Sequence, residues 1–385
     1  MSSDQPPAQH LRGLDGLRAV AILLVILWHT TLMIHFPPAR LGALRPFVFT
    51  CWAGVDLFFA LSGFLITTLL LREEKRRAAR DGSATFSLRN FYVRRALRIL
   101  PVFYATFALL VLGFSRSEVF RTVRVAAVDA PLWPYALFFN NYYESYALLS
   151  PQGSPGESFQ VFWSLCVEEH FYLLWPITLW LVRGRRGRIW LAAAACVALP
   201  LLRYAVISTG AEYPHTVHIV SHYRFDSLLW GALAALSVDL ATLGDRARRL
   251  LLAGAALLCA WLVATTQLSV LPRGTPLGSA LGFSALAILS TLIVLECARR
   301  PDSLAVRALE ARPLRLIGRL SFAMYLLHFP MIDLARRIYY PFSRAATLPN
   351  LAAITLLTAT LSAAVAGALH VAVERPFLRL KDRYA

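Results

Sequence analysis

The stretch GLDGLRAVAILLVILWHT, residues 13–30, decides the fold. Most of it belongs in hydrocarbon, where a helix needs about 20 apolar residues to cross. Yet it holds an arginine, Arg18, and a histidine, His29. Ionisable side chains at membrane depth are costly, so each calls for a function. Positions 18 and 29 fall on nearly the same face of an α-helix, roughly 16 Å apart along its axis. The two side chains cannot touch. They can address two ends of one elongated ligand.

Outward from this stretch the chain reads the same way. Of its 385 residues, 57% are hydrophobic, more than the usual share for a soluble domain. The pattern predicts an all-α, polytopic membrane protein of about ten transmembrane helices. They lie near 16–35, 52–71, 98–114, 162–182, 187–205, 225–238, 248–266, 276–297, 317–334 and 349–371, the sixth being short. Residues 126–142 are apolar but broken by prolines, which suits a re-entrant or interfacial segment. The formal charge of +17 is topological rather than a sign of nucleic-acid binding, because Lys and Arg gather in cytoplasmic loops. The connection from 72 to 98 carries nine of them. Setting it in the cytoplasm places both termini there by alternation.

This gives a cytoplasmic tail over 1–12, a membrane domain over 13–377 and a cytoplasmic tail over 378–385. The opening residues, MSSDQPPAQHLR, do not resemble a secretory signal. The five cysteines are scattered, with neither metal-ligand nor disulfide spacing, so no metal site is expected.

Counting along alternating helices brings several polar groups to the depth of His29. Asp56 lies just below the outer surface, Glu168 and Glu169 about two turns down, and His328 near the outer end of its helix. Arg224 and Asp226 open the sixth helix and suggest a structural or acceptor-side pair. Glu168 and Glu169 point about 100° apart, so one of them faces the site. At the cytoplasmic end, FYVRRALRILP (91–101) offers Arg94, Arg95 and Arg98. Arg95 and Arg98 share a face, and guanidinium forks bind phosphate bidentately. Anchoring to lipid headgroups is the simpler alternative for these arginines.

The segments GLDGLRA, GVDLFFALSGFLIT, FYVRRALRILP, WSLCVEEHFYLLWP, IGRLSFAMYLLHFP and VERPF occur in that order over residues 12–377. Together they resemble the acyltransferase-3 family of integral-membrane O-acyltransferases. Phe322 departs from the tyrosine that the family often has there. The resemblance implies ten helices in a bacterial cytoplasmic membrane. It implies acyl-CoA, usually acetyl-CoA, as co-substrate, with no resident cofactor. The acceptor would be a hydroxyl of a cell-surface or exported glycan, a glycolipid, or a small molecule such as a macrolide or a lipid. Arg18 and His29 match the family's paired arginine and histidine, and Arg95 and Arg98 its cytoplasmic Arg-x-x-Arg element. The esterase-like domain fused in some members is not expected here.

On this reading Arg18, Arg94, Arg95 and Arg98 hold the coenzyme phosphates, and His29 is the general base on the acceptor hydroxyl. Asp56 or one of Glu168 and Glu169 orients its ring. His328 is the second choice as its partner, or an oxyanion donor. Direct transfer is favoured over an acyl-enzyme, for which Ser62 is the nearest nucleophile. A transporter or flippase is the alternative of a different class, since intramembrane charges also mark substrate pathways.

Overall fold

The apolar runs fold as helices, and polar residues set several of their ends. The computed structural model describes residues 11–82, 85–114, 119–120, 131–147, 157–237, 250, 253–254, 257 and 275–381. Within these residues the chain is helical, with no strand. The long helices are α1 (Leu14–Met33), α2 (Gly54–Asp81), α3 (Leu88–Ala108), α4 (Phe162–Leu181), α5 (Arg185–Ser208), α6 (Ser221–Ser237), α7 (Phe283–Arg299), α8 (Arg312–Tyr339) and α9 (Leu348–Leu369). Of the segment 126–142 expected to be re-entrant or interfacial, 126–130 lie outside the described residues, and the rest holds the short helix Trp133–Ala136 and the start of Asn140–Ala147. The expected helix at 248–266 lies outside the described residues, four isolated positions apart.

Several helices extend past their apolar runs. α3 starts at Leu88, ten residues before the hydrophobic stretch that announces it. The Ser87 hydroxyl caps it, accepting from the Asn90 N–H at 3.2 Å. The basic residues that follow are good helix formers. α2 runs on through a charged turn to Asp81 and stops where Gly82 adopts φ +71°, a left-handed geometry that favours glycine.

Among the described residues, six helical stretches are long and apolar enough to cross a membrane. They include α1, α2, α3, α5 and the stretches containing α7 and α9. α4, α6 and α8 pack among them and carry Glu168, Arg224 and His328 respectively. Arg224, Asp226 and His328 are turned inward and fully buried. Large apolar side chains on α5 and α9, such as Trp190, Leu201 and Leu356, point outward instead, as hydrocarbon contact requires.

The helices approach closely at glycines. A Cβ on Gly63 would overlap the Leu228 carbonyl, and one on Gly231 the Ala60 carbonyl, so α2 and α6 meet backbone to backbone. Gly318 of α8 sits equally tight on the Asp15 backbone of α1. Small residues at such crossings are the usual device for packing helices in lipid. At one end of the bundle, polar contacts tie the helix ends together. Arg188 forks onto Glu74 at 2.7 and 3.1 Å. Arg185 Nε donates to the Leu236 carbonyl, and the Gly13 N–H to Glu310.

Gly63→Ala should lower the melting temperature of the detergent-purified protein by several degrees, since overpacking of this kind costs about 1–3 kcal/mol. Gly367→Ala, where an added Cβ meets nothing within 4 Å, should leave it unchanged or slightly raised. A thermal-shift assay on the two variants checks the difference.

Candidate active site

α1 and α8 place two histidines against each other. His29 Nδ1 and His328 Nε2 are 2.9 Å apart, and the other ring nitrogen of His328, Nδ1, lies 2.6 Å from the Tyr325 carbonyl oxygen. The protons follow from these contacts. A carbonyl only accepts, so His328 Nδ1 carries a hydrogen. His328 is fully buried, with no carboxylate bonded to it, a setting in which the neutral ring is favoured. Its Nε2 is then a bare acceptor, and His29 Nδ1–H donates to it. That leaves the lone pair of His29 on Nε2, the arrangement of a general base.

Two cavities lie near this pair, and His29 lines the smaller. The larger, about 610 Å³, is lined by Arg18, Arg72, Arg95, Arg98 and Arg319 at the basic end, and by Ser62, Glu168, Tyr172 and Tyr325 deeper in. Its size falls within the range of small-molecule and cofactor sites. The smaller, about 70 Å³, is lined by His29, Asp56, Arg224, His218 and three tryptophans, Trp28, Trp52 and Trp163. Val55 and Tyr325 line both and thus form a wall common to the two cavities.

The expected residues separate on this frame. Arg18, Arg95 and Arg98 line the large cavity together. Arg94 does not; it pairs with Glu73 at 2.6 Å. Arg95 stacks over the Tyr172 ring at 3.5 Å from its centroid. Of the two adjacent glutamates, Glu168 faces the large cavity, accepting from Ser62 Oγ at 2.8 Å and Tyr172 Oη at 3.1 Å. Glu169 is turned away from that wall, as the 100° step between neighbours dictates, and its Oε1 has no hydrogen-bond partner.

The expected carboxylate beside His29 is replaced by His328. Asp56 is bound instead to Arg224, at 2.6 Å, and to Ser227, at 3.2 Å. Nor do Arg224 and Asp226 form a pair. Residues two apart on a helix point to different sides, and Asp226 is held by Arg203 through two bonds of 2.8 Å. Arg203 also donates to the Ser279, Ala280 and Tyr223 carbonyls and to Ser284. This fully buried cluster closes the α5–α6–α7 junction and lines neither cavity.

Several lining residues carry no distinct signal in the sequence. Arg72 and Arg319 were hidden among topological charges. Tyr325 stands one turn before His328 within AMYLLHFP, and Glu374 within VERPF, segments whose pattern alone gives these two residues no role. His370, which faces Glu374 at 2.7 Å, offered no separate signal.

Residues 11–369 match the family described as "Acyltransferase domain". Among curated proteins, the chain is 27% identical over 344 residues to "Peptidoglycan O-acetyltransferase OatA" of Listeria monocytogenes, covering 85% of this chain and 50% of that protein. It is also 27% identical over 350 residues to "O-acetyltransferase OatA" of Staphylococcus aureus, covering 86% and 52%. The chain thus spans about half the length of these relatives. No solved structure matches it.

The assigned tautomer can be read directly. In nitrogen NMR of histidine-labelled protein, His29 Nε2 should resonate as an unprotonated ring nitrogen. A coupling across the hydrogen bond from His29 Nδ1 to His328 Nε2 should vanish in His328→Ala. A protonated Nε2 on His29 would reverse the assignment.

Proposed function

The chain belongs to the acyltransferase domain family matched over residues 11–369, and from that premise we propose that it is a membrane O-acetyltransferase. It takes acetyl-CoA from the cytoplasm and acetylates a hydroxyl of a cell-surface or exported glycan. The observation that carries this reading is a bare imidazole nitrogen in a polar chamber that shares the wall residues Val55 and Tyr325 with an arginine-lined cavity. The names of the relatives, one a peptidoglycan O-acetyltransferase, support the glycan as acceptor. The protein sits in the bacterial cytoplasmic membrane as a ten-helix domain with both ends in the cytoplasm.

Arg18, Arg95 and Arg98, with Arg72 beside them, grip the coenzyme phosphates. Their guanidinium forks suit phosphate oxygens better than a lysine ammonium would. The pantetheine arm then runs up the cavity beside α1 towards Val55 and Tyr325. The rise of about 16 Å from Arg18 to His29 is on the scale of that arm. Arg94 stays with Glu73 and takes no part.

Beside Val55 and Tyr325, His29 Nε2 removes the proton from the acceptor hydroxyl as its oxygen bonds to the thioester carbon. The tetrahedral adduct collapses, the carbon–sulfur bond breaks, and the thiolate takes the proton back from His29 Nε2–H. The products are the acetyl ester and free coenzyme, and the base is regenerated. His328 Nε2 accepts from His29 Nδ1–H throughout, which fixes the ring and favours the imidazolium while it lasts. Enclosure keeps water from the activated acyl group. Ser62, with its hydroxyl donated to Glu168, serves as cavity wall rather than nucleophile.

Purified protein incubated with labelled acetyl-CoA and a glycan acceptor should transfer label covalently. His29→Ala should abolish transfer while the protein still inserts and purifies. Ser62→Ala should retain it; loss of activity with intact coenzyme binding would point to an acyl-enzyme. Arg95→Ala should raise KM for acetyl-CoA by about tenfold or more, the scale of a lost charge-assisted bond, whereas Arg94→Ala should leave it unchanged. Equal effects at 94 and 95 would contradict the assignment.

A further inference from the structure

The reaction just described builds negative charge on the thioester carbonyl oxygen, and something has to receive it. His328 has no hydrogen left to give: Nδ1 is bound to the Tyr325 carbonyl and Nε2 accepts from His29. The arginines of the large cavity do not line the small chamber. Among the described residues lining that chamber, Arg224 is the arginine, and it is fully buried.

Its guanidinium is held from several sides. One terminal nitrogen donates to Asp56 at 2.6 Å, and the other lies 3.4 Å from His218 Nδ1. The Phe283 ring lies 4.0 Å below it. Its remaining nitrogen, Nε, is buried without a hydrogen-bond partner. A buried N–H with no partner is rare and costly, and it is understandable where a ligand oxygen supplies the missing acceptor. The second carboxylate oxygen of its partner, Asp56 Oδ2, is likewise buried and has no hydrogen-bond partner. The chamber is thus small, polar and already charged, with donor and acceptor fixed in advance.

Resting on the acyl-transfer reading above, we infer that Arg224 is a catalytic residue whose Nε–H receives the oxyanion of the tetrahedral adduct, in the chamber where His29 activates the acceptor. Preorganised donors of this kind act at the atom where charge develops and need no reorganisation during the reaction. Asp56 keeps the guanidinium oriented and makes the resting pair neutral, which allows a full cation to sit at this depth. Phe283 and Trp163, whose rings face the same guanidinium, restrain its tilt. The carbonyl oxygen turns towards Arg224 and the acceptor hydroxyl towards His29, so opposite sides of the adduct are served by different helices, α6 and α1.

Arg224→Lys tests this while leaving Asp56 a cation to pair with. Its affinity for acetyl-CoA, measured by calorimetry on the same preparation, should stay within about threefold of wild type, because Arg224 lies outside the large cavity. The kcat should fall by about 100-fold, the loss that follows removal of one oxyanion donor, with acceptor KM little changed. A second measurement needs no variant. Replacing the thioester carbonyl oxygen of acetyl-CoA by sulfur, a poorer hydrogen-bond acceptor, should slow the wild-type enzyme by about tenfold or more. A folded Arg224→Lys should lose that discrimination. A near-normal kcat in Arg224→Lys, a loss confined to acceptor KM, or no effect of the sulfur exchange on wild type overturns the assignment of Arg224 while leaving acyl transfer standing. Failure of wild type to transfer any label from acetyl-CoA overturns the acyl-transfer reading and this inference with it.

Discussion

The hydrogen bond between His29 and His328 is the contact on which the rest of the arrangement depends. It joins α1 to α8 inside the bundle, 2.9 Å between ring nitrogens, and its direction is set by a backbone carbonyl of α8. The Tyr325 carbonyl takes the hydrogen of one ring, that ring takes the hydrogen of the next, and the final nitrogen is left basic. A carboxylate would have served the same orienting purpose at the cost of a charge. Here two neutral rings do it, and Asp56 is released to hold an arginine instead.

Close packing makes this chain of bonds reproducible. Gly318 lets the start of α8 lie on the backbone of Asp15, which fixes the spacing of α1 and α8 below the histidines. Gly63 and Gly231 do the same for α2 and α6, and thereby hold Asp56 within 2.6 Å of Arg224. The two glycine crossings and the two polar pairs form one frame. α1 and α8 carry the histidine pair, α2 and α6 the Asp56–Arg224 pair, and α1, α2, α3, α4 and α8 all contribute to the wall of the large cavity. Breaking the Asp56–Arg224 pair by removing one partner would leave a buried charge uncompensated, typically a loss of about 3–5 kcal/mol. Any variant there therefore has to preserve charge to be informative about chemistry.

Much of this was legible in the sequence, for physical reasons that also mark where legibility stops. Arg18 and His29 stood out because polar groups in an apolar helix are costly, and helical periodicity put them on one face. Arg95 and Arg98 share a face by their three-residue spacing, but only the resemblance of their segment to the family's Arg-x-x-Arg element set them apart from topological charges. What periodicity cannot give is which helix lies next to which. Asp56, Glu168, Glu169 and His328 all reached a similar depth by counting, and only the packing shows that His328 meets His29 while Asp56 meets Arg224. Arg203 escaped notice because one arginine near the end of an apolar helix looks like a solvated end. In the fold it is fully buried, bound to Asp226 and three backbone carbonyls. The helix boundaries moved for a simpler reason: hydropathy marks what lies in hydrocarbon, and α2, α3 and α8 continue as helices into the basic face.

The account turns on a thioester reaching His29 from the arginine-lined side. A cryo-EM structure of the chain with a non-transferable acetyl-CoA analogue tests that most directly. The coenzyme phosphates should contact Arg18, Arg95 and Arg98, the arm should follow α1, and the acyl carbonyl should lie between Val55 and Tyr325, beside His29. A coenzyme bound away from α1, or entering with its acyl end remote from His29, would contradict it.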